Sequence, residues 1–128
     1  MALNRVMHVD DNESIRLITE MALVDIAGFK LLSCDGGYSA LSQAEAFAPE
    51  LIILDAIMPE MDGLQTLFEL RKLPSLTATP VVFMTANVQP SEKQKFLDAG
   101  AVAVVEKPFE PMELGDIVRE IYTRAMQD

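Results

Sequence analysis

Two patterns of apolar positions alternate along the 128 residues. Five short, mainly apolar runs lie at Arg5 to Val9, Lys30 to Cys34, Leu51 to Leu54, Pro80 to Thr85 and Ala101 to Val105. Their apolar residues are consecutive rather than alternating, as in strands of a parallel sheet covered on both faces. Longer stretches of helical pattern separate them. Asn12 and Glu13 open the first, which reaches Ala27, and Gly28 stands where a left-handed residue ends a helix. The others are Tyr38 to Phe47, closed by Pro49; Leu64 to Lys72, followed by Pro74; Ser91 to Ala99, ended by Gly100; and Met112 to Ala125, opened by Pro111. Strict strand–helix alternation predicts an α/β fold: one doubly wound, five-stranded parallel sheet with right-handed crossovers and helices on both faces. Neither repeat nor linker interrupts it, so residues 1–128 read as one domain.

Charge narrows the functional classes. Ten basic against twenty acidic residues leave a formal charge of −10. Phosphate backbones and anionic headgroups repel such a surface, so neither nucleic acid nor membrane is an expected partner. No apolar run approaches the roughly 18 residues that cross a bilayer. The start of the chain lacks a signal peptide's apolar stretch. A lone Cys34 forms neither an internal disulfide nor a thiolate cluster, which suits a reducing, cytoplasmic setting and reads as a small buried hydrophobe.

In a doubly wound sheet the carboxyl ends of the strands hold the ligand site. Here the first strand runs into Asp10 and Asp11, the third into Asp55, the fourth into Thr85, and the fifth into Glu106, Lys107 and Pro108; the second, ending at Cys34 and Asp35, adds nothing comparable. If the first and third strands are neighbours, three carboxylates converge. That is tolerable only with a cation present or with shifted pKa values. An all-oxygen donor set suits Mg2+, which takes one or two carboxylates together with phosphate oxygens. Asp55 is then a candidate nucleophile for an acyl phosphate. Lys107, the Thr85 hydroxyl and nearby backbone N–H groups are positioned to neutralise the phosphoryl oxygens. Each residue also has a plainer reading: Asp10, Asp11 and Asn12 as helix caps, Thr85 as a strand residue, Lys107 as a solvated charge. All of these would have to hold together at separate strand ends.

In this order the residues resemble the receiver domains of two-component response regulators, a family in which the chemotaxis response regulator is a single-domain member. The resemblance spans essentially the whole chain. It rests on Asp10-Asp11, on Asp55-Ala56-Ile57-Met58-Pro59-Glu60-Met61-Asp62-Gly63, on Thr85-Ala86 and on Lys107-Pro108-Phe109. It implies a flavodoxin-like (βα)5 fold with strand order 2-1-3-4-5. Asp55 would be the phosphoacceptor, served by a sensor histidine kinase or histidine phosphotransfer protein. Mg2+ would be held by Asp11 directly, by Asp10 through water, and by Asp55 and the backbone carbonyl of Ile57. Lys107 would bridge to the phosphoryl group, with Thr85 and Ala86 at the switch, and the Lys107–Pro108 bond is expected to be cis.

One departure concerns output. The family commonly places Tyr or Phe three residues before the lysine, where this chain has Val104. Any signal at that face would travel through a backbone shift and a small apolar patch to a downstream protein target. Ile57 and Asn87 would flank the path of the hydrolytic water, and a branched Ile57 should slow dephosphorylation. The first helix carries too many apolar residues for one buried stripe, and Ile15, close to the acidic pair, is a candidate kinase contact. Nothing beyond the fifth helix offers an output domain, so the expected function is a single-domain regulator; a receiver excised from a hybrid kinase would look the same. A haloacid-dehalogenase-type phosphatase shares the aspartyl phosphate, but carries a second Asp two residues after the nucleophile, where this chain has Ile57. Flavin binding would need a phosphate-cradling loop where Asp10-Asp11-Asn12 stand.

Overall fold

The fold is seen in a computed structural model that describes residues 2–127. Strands β1 (Arg5–Val9), β2 (Lys30–Cys34), β3 (Leu51–Asp55), β4 (Val81–Thr85) and β5 (Ala103–Glu106) form one sheet in the order β2-β1-β3-β4-β5, every pair parallel. Helices α1 (Glu13–Glu20), α2 (Gly37–Phe47), α3 (Gly63–Leu70), α4 (Pro90–Asp98) and α5 (Pro111–Ala125) alternate with them. The strand order and the alternation are those expected.

Because side chains alternate across a strand, the sheet feeds two cores. Met7, Val9, Ile52, Leu54 and Phe83 pack with residues of α2, α3 and α4, where the Phe83 and Phe96 rings stack with centroids 4.5 Å apart. Val6, Ile53, Val82 and Met84 pack on the other face with Leu114, Val118 and Tyr122 of α5 and with Ala22 and Leu23. Both central strands β3 and β4 are buried at every residue, whereas the edge strands β2 and β5 are partly open.

Three boundaries differ from the sequence reading by two residues or more, each for a local reason. The first helix does not stay α-helical to Ala27: after Glu20 it continues as a wider π-helical turn over Met21–Ile26. This turn keeps the adjacent Ala22 and Leu23 both buried while Met21, Val24 and Ile26 face outward. Gly28, at φ 83°, then reverses the chain. β5 begins at Ala103 rather than Ala101, because the Ala101 N–H closes α4 onto Phe96 O (3.1 Å) beside the left-handed Gly100, and so cannot enter the ladder. α3 stops at Leu70, and Arg71 turns its guanidinium to the carbonyls of Leu76 (2.8 Å) and Thr79 (2.6 Å).

Candidate functional site

At the carboxyl end of β1 the chain makes one more ladder bond, from Asp10 N to Cys34 O (3.0 Å), before α1 begins. This holds Asp10 fully buried, while Asp11 projects into solvent. The cap of α1 is Asn12, whose side chain accepts from Ile15 N (2.9 Å). Asp10 is fixed instead by accepting from Asn12 N (2.9 Å), and its own carbonyl accepts from Arg16 Nη1 (2.7 Å). The plain capping reading thus holds for Asn12 and leaves the two aspartates for other work.

Asp55 is the last residue of β3, opposite Met84, and is buried. The segment that follows turns back at once: Gly63 N bonds Ala56 O (3.1 Å), and a Cβ on Gly63 would stand 2.5 Å from Asp55 O and 2.7 Å from Phe83. Only glycine lets α3 start this close to the Asp55 backbone. Asp62 caps that helix in a reciprocal pair with Gln65 (2.8 and 2.9 Å). Thr85 ends β4 buried, its hydroxyl accepting from Asn87 N (3.1 Å). Lys107 follows β5, held by its N–H to Thr85 O (2.9 Å), and the Lys107–Pro108 peptide is cis.

These strand ends converge. Asp10, Asp11 and Asp55 each offer a carboxylate oxygen, all within 4.8 Å of one another. The Lys107 ammonium bridges two of them, 2.7 Å from Asp55 Oδ1 and 3.0 Å from Asp10 Oδ2. Burial raises the Asp55 pKa; the Lys107 hydrogen bond opposes this, and the neighbouring Asp10 and Asp11 charges add to it. For Lys107, burial works downward, but its bonds to Asp55 and Asp10 and their charges outweigh it and hold the ammonium protonated. One cation against three carboxylates leaves an excess of negative charge on oxygen ligands only, which is the donor chemistry of a hard divalent ion.

Other singled-out residues sit as follows. Ile57, 81% exposed, and Asn87 line one cavity of about 510 Å3 together with Thr85. Ala86 is exposed beside Thr85. Val104 is half-buried against the α4-side core on the edge strand. Ile15 is half-buried; the outward apolar residues of this helix and its π-helical extension are Leu17, Ile18, Met21, Val24 and Ile26. Cys34 is buried, and burial raises its thiol pKa. The sequence reading missed His8. It lies two residues before Asp10, is fully buried with no hydrogen-bond partner among the described residues, and is pushed down to about 4 by that burial, so it is neutral at pH 7. An imidazole among the apolar residues Val6, Met7 and Val9, in step with Asp10, was the available signal.

Residues 6–119 match the family model described as the response regulator receiver domain. The chain belongs to this family. As a receiver domain of two-component signalling it is 36% identical over 126 residues to the regulatory protein AtoC of Escherichia coli, covering 98% of this chain and 26% of that protein. It is 34% identical to the signal transduction histidine-protein kinase BarA of Escherichia coli, covering 88% of this chain and 12% of the kinase. Among solved structures, the chemotaxis protein CheY4 of Vibrio cholerae superposes with a TM-score of 0.87 at 31% identity, over 94% of this receiver and 99% of that chain. The receiver therefore spans about half or less of the curated relatives it matches, and nearly all of the solved chemotaxis protein chain. No helix among the described residues is long and apolar enough to cross a membrane.

Proposed function

We propose that this receiver takes a phosphoryl group onto Asp55 from a phosphohistidine of a sensor histidine kinase or histidine phosphotransfer protein, and that it signals through a phosphorylation-dependent protein surface or by onward transfer. The observation that carries this reading is the bridge from Lys107 to Asp55 and Asp10 beside the otherwise unneutralised Asp11. A carboxylate oxygen of Asp55 attacks phosphorus, the P–N bond breaks, and its electron pair returns to the imidazole. The product is an acyl phosphate. Lys107, already 2.7 Å from Asp55, follows the incoming charge and pairs with a phosphoryl oxygen. The Thr85 hydroxyl and the Ala86 N–H donate to another.

The oxygen-only donor set of Asp10, Asp11 and Asp55 fits Mg2+, which these carboxylates would hold together with the backbone carbonyl of Ile57. When bound, the ion supplies charge neutralisation for the transferring group. Asp10, locked by Asn12 N and Lys107, acts as a fixed support rather than a mobile ligand. On the output side, movement of Thr85 is passed to Val104 of β5, which packs under α4; amide exchange around Val104 that is unchanged by a phosphate mimic would refute that route. Ile15 and the aliphatics beside it on α1 are the proposed kinase contact.

Intact mass after incubation with acetyl phosphate and Mg2+ tests the central claim. Wild type should gain one phosphoryl group, and neither Asp55→Asn nor chelator-treated wild type should gain any. A wild type that stays unmodified with every donor would overturn it.

A further inference from the structure

Away from the acidic pocket, a shallow groove of about 650 Å3 opens between α2 and α3. Its floor is apolar, formed by Leu41, Met61 and Leu64. Its walls are Tyr38 from α2 and Phe68 from α3, 63% and 65% exposed, large aromatic surfaces of which only Phe68 has a cation over its ring, the Lys72 ammonium at 4.7 Å from the centroid. On the rim stands Glu60. Its backbone is at φ 68°, in the left-handed region that side chains avoid, with Met61 N closing a tight turn onto Pro59 O (2.7 Å). A strained position suited to glycine carries a glutamate instead, and that carboxylate joins none of the ion pairs among the described residues. The other rim carboxylate, Glu69, is already matched by Lys72 at 2.9 Å.

We infer that this groove docks a basic, amphipathic helical segment of a partner protein, with one Lys or Arg paired to Glu60 and apolar side chains seated between Tyr38 and Phe68. Charge complementarity selects the occupant: the free rim charge is negative, and the chain as a whole carries −10. A trough between two helices suits a third helix laid into it, with aromatic anchors and an ionic latch at helical spacing. The groove lies outside the Asp55 pocket, and the inference holds whether or not Asp55 accepts a phosphoryl group.

Selection of a random peptide library displayed on phage, with the purified chain as bait, tests it. Enriched peptides should carry Lys or Arg within one helical turn of aromatic or aliphatic residues. Synthesised singly, they should bind about tenfold more weakly to Phe68→Ala and to Glu60→Gln, as for loss of an interface anchor. Both side chains are exposed, so unchanged unfolding midpoints are expected to show that the variants fold. Glu60→Gly should lose the same binding while its unfolding midpoint rises, a combination that separates a docking role from a structural one. Failure to enrich any binder, enrichment of acidic or uncharged peptides, or binding that survives both substitutions would overturn the proposal. So would a concentration-dependent dimer of the chain that Phe68→Ala dissolves, since the occupant would then be a second copy.

Discussion

The two ends of the sheet treat carboxylates in opposite ways. At the amino end, Glu50 enters β3 with Oε1 accepting from both Asn4 N (2.9 Å) and Arg5 N (2.8 Å), and these bonds hold its pKa below the ordinary range. At the carboxyl end, Asp55 leaves the same strand buried beside Asp10 and Asp11, and its pKa is raised. One carboxylate is matched to donors that splice the start of β1 to β3. The other is held where its charge is costly. The difference separates stability from function: the charged form of Glu50 is stabilised by the fold, whereas the charge at Asp55 is tolerated by the fold and would be stabilised by a ligand.

That contrast breaks most sharply at Asp11, which is exposed and adds to the negative potential on Asp55 without bonding Lys107. Asp11→Asn should weaken Mg2+ binding at least about tenfold and reduce phosphoryl uptake with it, since loss of even a supporting group costs that much at metal sites. In metal-free buffer the same variant should be more stable, by about 0.5 kcal/mol, because like charges are relieved across a partly solvated gap. Titration calorimetry and urea unfolding would read the two signs. A variant that loses both affinity and stability would show that the acidic surplus carries no folding cost.

Gly63 tests whether the carboxyl end is as tightly constrained as its geometry implies. Gly63→Ala places a methyl 2.5 Å from Asp55 O, against backbone and the Phe83 ring rather than a flexible side-chain tip. Destabilisation of about 2 kcal/mol is expected from overpacking. Phosphoryl uptake should slow by about a hundredfold, because displacement of Asp55 misaligns the attacking oxygen. Chemical denaturation and mass spectrometry would check both. A smaller effect is expected at the mouth of the pocket, where Ile57 lies 81% exposed. Ile57→Asn should shorten the phosphoryl lifetime by about tenfold, equivalent to about 1.4 kcal/mol in the barrier, by admitting and orienting water. Equal lifetimes would remove Ile57 from the water path.

The carboxyl end was readable from the sequence because its residue types are out of place: Asp10, Asp55 and Thr85 each end an apolar run where a strand ends, and Lys107 follows Glu106 just beyond the fifth. The sheet order followed only from the receiver resemblance that those residues carry, whereas β1 and β2 were legible as short, mainly apolar runs. Glu50 was not legible, since a glutamate before a strand is ordinary until the fold brings Asn4 and Arg5 beside it. Nor was the π-helical turn at Met21–Ile26, whose register is set by which side chains the α5-side core accepts. The aromatic groove escaped for the same reason. Tyr38 and Phe68 are thirty residues apart, and nothing in their local sequence distinguishes exposed aromatics from core ones. Motifs announce chemistry at a point; pairings across elements exist only after folding.

The amino end gives the smallest effect and the clearest sign. The folded-state pKa of Glu50 is lowered from its ordinary 4.5, so the folded protein binds fewer protons there than the unfolded chain as pH approaches that value. The stabilisation is therefore fully present above about pH 5 and is lost as pH falls through 4.5 into the lowered range. Glu50 is half-buried, so water still screens part of its charge, and Glu50→Gln retains an acceptor oxygen. The variant should lose only about 0.5 kcal/mol at pH 7. The gap between wild type and Glu50→Gln should close as the pH is lowered below 4.5, whereas a gap that stays constant with pH would mean that the amide fails as an acceptor and that charge has no part in joining β1 to β3.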